Sequence, residues 1–461
     1  MNPVIEKALR LAESSGASYA EARLTTTTTE VIEAEDGSIK EVSRNTVKGL
    51  GIRVFVGTSS GFAATSDLSE DSIRSAVEAA IAAARVVGGG PPLAERRVWR
   101  GRAASRLVVD PFEVDFREKV ELVLDANKAA LEVGGVKSSL TYLGIRREVR
   151  EIGTSDGADI VVDVTMTGLV QSVSAAEGGS LERASDSDSA VAGWEFMEAR
   201  DWASFSRSVA ELAVKALHAE VPKAGKYRVV ADPRLIGLIL HEAFGHALEG
   251  DLVSSGASVL KGKIGEAVAS ELVTVIDDGV IEGGYFVPFD DEGNRKERVV
   301  AVEKGILKSY LTGRRQAAEL GQAVTGNARA QDYASAPIVR QTNIFIEPGD
   351  RGFEEMIREL GDGLYLLGRS ARGGQVDTAS GTFTFSVGPS WVVEGGEIKK
   401  MIKGVVVSGQ VLETLKAVEA VGNDLRVRTS VFGGCGKEAQ TVKVGLGGPH
   451  VLIKEIVVGG R

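Results

Sequence analysis

The stretch Leu240-His241-Glu242-Ala243-Phe244-Gly245-His246-Ala247-Leu248-Glu249-Gly250-Asp251 gathers two of the chain's four histidines around a glutamate. A His-Glu pair with a second His further along a helix is how two imidazoles hold a divalent metal while the adjacent carboxylate serves as base. The commoner spacing is four residues, which puts both rings on one helix face. Here the histidines are five apart, roughly 140° around a regular helix at about 100° per residue. Shared ligation therefore requires a widened or kinked helix, such as a π-bulge, and Gly245 is placed to ease it. The alternative is a core helix whose histidines are capped by neighbours.

A catalytic zinc site takes three protein ligands and leaves one position for water. Two residues compete for the third place. Cys435 lies in Phe432-Gly433-Gly434-Cys435-Gly436-Lys437, a glycine-rich loop able to approach another surface closely, and a His₂Cys set suits zinc. Taken alone it reads equally as a small buried apolar thiol. Glu249, three residues after His246, is the rival. Asp251, Asp277-Asp278, Asp290-Asp291-Glu292 and the Arg329/Arg340 pair read singly as solvated turns, with contacts around the site as the alternative. Other chemistries lack their signatures. Gly436-Lys437 runs into Glu438 without a phosphate loop's pattern, no Gly-x-Ser-x-Gly elbow occurs, and Cys435 with His450 lacks the flanks of a thiol peptidase.

The elements that must carry these groups follow from local signals. Asp232-Pro233 starts a helix, Asp as N-cap and Pro at the first turn, and Leu235, Ile236, Leu238, Ile239 and Leu240 make it a buried one. Upstream, helices are expected at Pro3–Ser14 (cap Asn2), after Ser69, over 115–131 and over 201–218. Strands fill 19–66, with a turn at Asp36-Gly37, and 139–173. Downstream of Val221-Pro222-Lys223-Ala224-Gly225 the chain is glycine-punctuated and mostly β, with short helices near 353–360 and 411–418. The expected class is α+β in two domains: an N-terminal α+β domain, residues 1–222, and a β-rich C-terminal domain, 223–461, carrying the motif helix.

Composition narrows the function. The 461 residues carry a net charge of −10 and a pI near 5.3, which supplies no electrostatic footprint for nucleic acid or acidic membranes. No run approaches the length of a membrane span, the first residues lack a signal peptide's apolar core, and a single cysteine excludes an intramolecular disulfide. A cytoplasmic setting is expected.

The His241–Asp251 motif and the Gly-Gly-Cys-Gly-Lys loop at 433–437 together resemble the TldD/PmbA family, in its metal-bearing TldD branch. Further matching stretches are Asp290-Asp291-Glu292-Gly293, Thr325-Gly326-Asn327-Ala328-Arg329, Gly373-Gly374-Gln375-Val376-Asp377 and Val421-Gly422-Asn423-Asp424-Leu425. Gly434 and Glu438-Ala439-Gln440 depart from the family's usual flanks. The resemblance implies a zinc metallopeptidase, with His241, His246 and Cys435 as ligands to Zn²⁺ and Glu242 as catalytic base. It implies short or unfolded peptides as substrates, and a protomer that pairs with itself or with a metal-lacking paralog. The competing expectation is a regulatory subunit that binds zinc or peptide without catalysis, distinguished by a closed fourth coordination position.

Overall fold

A computed structural model describes residues 1–371 and 373–460. The caps read from the sequence at Asn2 and Ser69 are in place, and Asp115 and Asp201, expected as the first residues of their helices, are N-caps. Asn2, Ser69 and Asp115 accept backbone N–H bonds at the starts of α1 (Pro3–Ser14), α2 (Glu70–Val86) and α3 (Phe116–Leu131). Asp201 does the same for the helix Trp202–Leu217.

The N-terminal half is one seven-stranded sheet built on two long hairpins: β1 (Tyr19–Glu35) with β2 (Ser38–Val56), and β5 (Val136–Thr154) with β6 (Asp159–Glu177). The order is β3 (Ser59–Thr65), β2, β1, β5, β6, β4 (Arg100–Ala104), and β7 (Ser180–Ala190) also pairs with β6. Because strand side chains alternate, β1 sorts its residues by parity. Ala20, Ala22 and Leu24 pack beneath α1 and α2, and Ile32 and Ala34 beneath α3. Glu21, Arg23 and Thr25 are also buried, but on the other face. A one-residue slip in register would exchange the two sets.

That polar face is covered by the second half of the chain. Arg53 bridges Glu21 (2.5 Å) and Glu292 (2.6 Å). Asp291, 1% exposed, receives Arg150 Nη1 at 3.1 Å and the Ala330 N–H at 2.8 Å, with Arg23 Nε at 3.8 Å. The buried turn Asp290-Asp291-Glu292 is thus not solvated. Asp291 and Glu292 form an ionic lock between the two halves, and Asp290 braces the turn through Asn294 and the Ala328 N–H. Removing one partner of a buried ion pair costs about 3–5 kcal/mol, because the other charge stays desolvated. Asp291→Ala, which strands two guanidinium groups, is expected to lower unfolding stability by about that amount in denaturant titration.

The second half holds two larger sheets. One has six strands, from Ile306–Leu307 at one end to Arg426–Thr429 at the other. The other has nine, beginning at Gly374–Asp377 and including Gly225–Ala231 and Val451–Gly460. The motif helix lies in the core these sheets share: Leu235, Ile236, Ile239, Leu240, Ala243 and Phe244 join Val275 and Ile344 of the first sheet and Val229, Phe383 and Val407 of the second. Gly237 lets the helix lie on the first sheet, since a Cβ there would come within 2.7 Å of the Gly447 backbone. The α+β class expected from the sequence is the observed one.

Candidate metal centre

Asp232 caps the motif helix through the Leu235 N–H at 2.8 Å, and Pro233 occupies its first turn. The helix is regular over Pro233–Ile239, then widens to a π-turn over Leu240–Gly245 and tightens to a 3₁₀ turn over His246–Leu248. A π-turn bonds residue i to i+5, so residues five apart align. The five-residue spacing and the π-turn are one feature seen at two levels. His241 and His246 face each other with ring centroids 5.4 Å apart. Gly245 has ordinary helical angles, φ −61° and ψ −44°, so its conformational freedom is not what the site uses. The position needs space: a Cβ there would come within 2.1 Å of Gln341 Oε1.

Cys435 completes the cluster from the far end of the chain. It opens the hairpin Cys435–Lys437/Gln440–Val442, and its Sγ lies 3.1 Å from His246 Nε2. Ligand atoms of His241, His246 and Cys435 all fall within 4.8 Å of one another. Burial opposes ionisation of the thiol, but the two imidazoles outweigh it and bring Cys435 down to about 5, so the sulfur is a thiolate at neutral pH. His241 Nδ1 is buried without a hydrogen-bond partner, an uncompensated polar atom that calls for a ligand. Two imidazoles, one of them with an unpartnered ring nitrogen, and a thiolate are a donor set that fits a borderline-soft divalent ion.

Glu249 is outside that set. Its Oε2 meets His246 Nδ1 at 3.0 Å and Lys437 Nζ at 2.9 Å, and its Oε1 accepts the Gln341 N–H at 3.1 Å. It therefore fixes the ring of His246 and leaves Nε2 for the cluster, the role a carboxylate takes behind a ligating histidine. Burial would raise its pKa, yet His246 and Lys437 hold it down to about 2, and its negative charge keeps the His246 imidazole well above its usual range despite burial. Lys437 also pairs with Asp251 at 2.6 Å. The lysine two residues after the cysteine thus ties the hairpin to the helix through the same carboxylate that orients the second histidine. Glu249→Gln keeps the shape and removes the charge; metal affinity is expected to fall about 10–100-fold in a chelator competition.

Glu242 is half-buried and lines, with His241, a cleft of about 460 Å³. The other walls include Ser187 and Asp188 of β7, Arg234, Arg428 and Gly434. Asp188 is held by Arg200 at 2.6 Å and lies 3.5 Å from Arg428. Asp186, two residues before it, takes Arg369 at 2.7 Å and also Arg234. The pairs with Arg234, Arg369 and Arg428 join β7 to the second half beside the cleft. Arg329 and Arg340 are buried supports of the loops. Arg340 donates to the Cys435 carbonyl, and Arg329 donates to the carbonyls of Gln341 (3.0 Å) and Lys443.

Two histidines brought together by a π-turned helix, a cysteine from a distant hairpin and a carboxylate on the adjoining cleft make up a candidate metal centre of metallopeptidase type. Residues 224–460 match the PmbA/TldA metallopeptidase C-terminal domain, 20–84 match domain 1 and 109–217 the central domain. A Methanothermobacter thermautotrophicus "Metalloprotease" is 39% identical over 446 residues, covering 96% of this chain and 95% of the relative. A "Zinc metalloprotease TldD homolog" from Saccharolobus solfataricus is 30% identical over 462 residues, 98% and 99% of the two chains. The crystal structure of TldE from Thermococcus kodakarensis superposes with a TM-score of 0.80 at 18% identity, over 99% of this chain and 100% of the other, a likeness of fold. The chain belongs to the TldD/PmbA family and is a metalloprotease of its TldD branch. Among the described residues no helix is long and apolar enough to cross a membrane.

Proposed function

We propose that the chain hydrolyses short or unfolded peptides held in extended form in the cleft. In this reading His241, His246 and Cys435 hold a zinc ion and Glu242 moves the protons. The observation that carries it is the coincidence of the two-histidine, one-thiolate cluster with a cleft at which three sheets end. β7 contributes Ser187 and Asp188, Arg426–Thr429 contributes Arg428 and Thr429, and Gly373 adjoins Gly374–Asp377; each of these strands is terminal in its sheet. An extended peptide adds to such an edge through main-chain hydrogen bonds, which tolerate many side chains.

The ion, when bound, supplies a Lewis acid for the scissile carbonyl and for the attacking water. Glu242 accepts the proton from that water and returns it to the leaving amine. Glu249 keeps the His246 ring turned for ligation, and Lys437 holds Glu249 and the cysteine hairpin together. Cleavage rates across a peptide panel test the substrate class. They should follow chain length and lack of structure, and strict dependence on one side chain would overturn strand addition. Pairing of protomers and a cytoplasmic setting belong to the same proposal; sedimentation giving a monomer mass at micromolar concentration would remove the first.

A further inference from the structure

A second cavity, of about 400 Å³, lies between the polar face of the N-terminal sheet and the second half of the chain. Its floor is a two-strand ladder. Thr25, Thr27 and Thr29 of β1 stand opposite Arg150, Glu148 and Arg146 of β5, and the period of two puts all six on one face. All but Thr25 line the cavity, with Tyr285, Arg329 and Lys443 across from them.

Its charge is unbalanced. Arg146, Arg150, Arg329 and Lys443 line it against Glu148 and Asp332, with Asp291 behind Arg150 as a third carboxylate, and all three are engaged. Glu148 is shared between Arg146 and Arg150, the latter at 3.1 Å. Asp332 accepts from the Ala334 N–H and Ser335 Oγ of its own turn. The guanidinium groups keep donors in reserve. Arg150 and Arg329 are each 3% exposed, yet Arg150 Nη2 and Arg329 Nε have no hydrogen-bond partner, nor does Arg146 Nε. Burial and the neighbouring Arg150 bring Arg329 down to about 10, and burial with Arg146 brings Lys443 down to about 8, so these two cations lack a counter-ion of their own. Asp291 and Glu148 hold Arg150, and Glu148 holds Arg146, above the usual range despite burial.

We propose that this cavity is an oxyanion site, taking a carboxylate or phosphate group on the guanidinium groups of Arg146, Arg150 and Arg329. Each guanidinium keeps an unpartnered N–H, Nε of Arg146 and Arg329 and Nη2 of Arg150, so several charge-assisted bonds can converge on one anion, and the threonine hydroxyls add donors. The site is separate from the peptide cleft but shares the cysteine hairpin with it. Thr441 and Val442 line the cavity, Gly433 and Gly434 line the cleft, and Lys443 Nζ holds the carbonyls of Val431 and Gly433 at 2.7 and 2.6 Å. The inference does not rest on the peptidase reading.

The test is calorimetric titration of the full-length, metal-loaded protein with sodium acetate and with sodium phosphate, chloride balancing the ionic strength and zinc content checked at each end. One saturable equivalent is expected in the wild type. Arg146→Gln should weaken it about tenfold or more, the loss one charge-assisted hydrogen bond carries, while Arg428→Gln, in the other cleft, should leave it unchanged. Arg146 is the primary variant because its side chain is 21% exposed, so its loss does not empty the core; Arg329→Lys is the second. Acetate binding alone assigns a carboxylate ligand, and phosphate binding alone a phosphorylated one. No saturable binding of either anion, or binding unchanged in both Arg146→Gln and Arg329→Lys, would overturn the site.

Discussion

Cys435→Ala is expected to lose its metal while the wild type, purified beside it, carries about one zinc per chain, as a three-ligand site would. The cysteine is the only one in 461 residues and stands 189 residues from His246. Its hairpin does not depend on the sulfur for its position. Lys437 is held by Glu249 and Asp251, Arg340 donates to the Cys435 carbonyl, and the backbone pairs with Val442. The variant should therefore keep its fold, with an unchanged circular dichroism spectrum, and fail in ligation alone. The affinity loss should exceed the roughly 10–100-fold that a change behind the ligands brings. Without metal, thiolate and His246 imidazolium form an ion pair, the thiol lying at about 5 and the imidazole well above its usual range. Ligation requires the neutral ring, so metal uptake at pH 7 should release a proton, and it should come from His246. Calorimetry in buffers of differing ionisation enthalpy reads that proton. Metal retained in Cys435→Ala would transfer the third place to another group and dismantle the triad.

How much of this was legible before the structure depends on the length scale of each signal. Capping operates over three residues, and Asn2, Ser69 and Asp232 cap as read, while Asp115 and Asp201 cap helices that begin one residue later than expected. The histidine spacing stated its own requirement, a widened turn, and the helix meets it over Leu240–Gly245. Cys435 is different in kind. No periodicity links residue 435 to residue 241; a thiol among glycines made it a candidate ligand beside Glu249, and the resemblance favoured it over that rival. Glu249 shows the limit of spacing: three residues from His246 places it beside the ring, but which atom it meets is settled by Lys437, 188 residues further on. The acidic run at 290–292 misled for a related reason. A charged turn reads as solvated, yet Arg53 finds Glu292 across 239 residues, and the turn becomes interior because it docks on the polar face of the N-terminal sheet. The alternation of Glu21, Arg23 and Thr25 with Ala20, Ala22 and Leu24 was visible in the chain; what lies over the polar set was not.

Glu242→Gln should retain the metal and lose turnover by about 10²–10⁴-fold, the usual contribution of a positioned acid–base group. The substitution keeps volume and hydrogen-bonding shape while removing the capacity to take a proton. Glu242 follows His241 in the chain yet does not join the ligand cluster; it lines the cleft instead. Zinc content and peptide binding should therefore match the wild type, and the loss should fall on kcat with KM little changed, as when an interaction exists only in the transition state. The limb of the pH profile that reports the base should disappear with it. Set against Cys435→Ala, the pair separates holding the ion from moving the proton: one variant loses both metal and activity, the other activity alone. Full turnover in Glu242→Gln would move the base to the other carboxylate lining the cleft, Asp188. Burial raises the Asp188 carboxyl above the usual carboxylate range although Arg200 and Arg234 oppose it. Pairing with arginine therefore does not disqualify it as a proton acceptor, and the Glu242→Gln result decides between the two carboxylates.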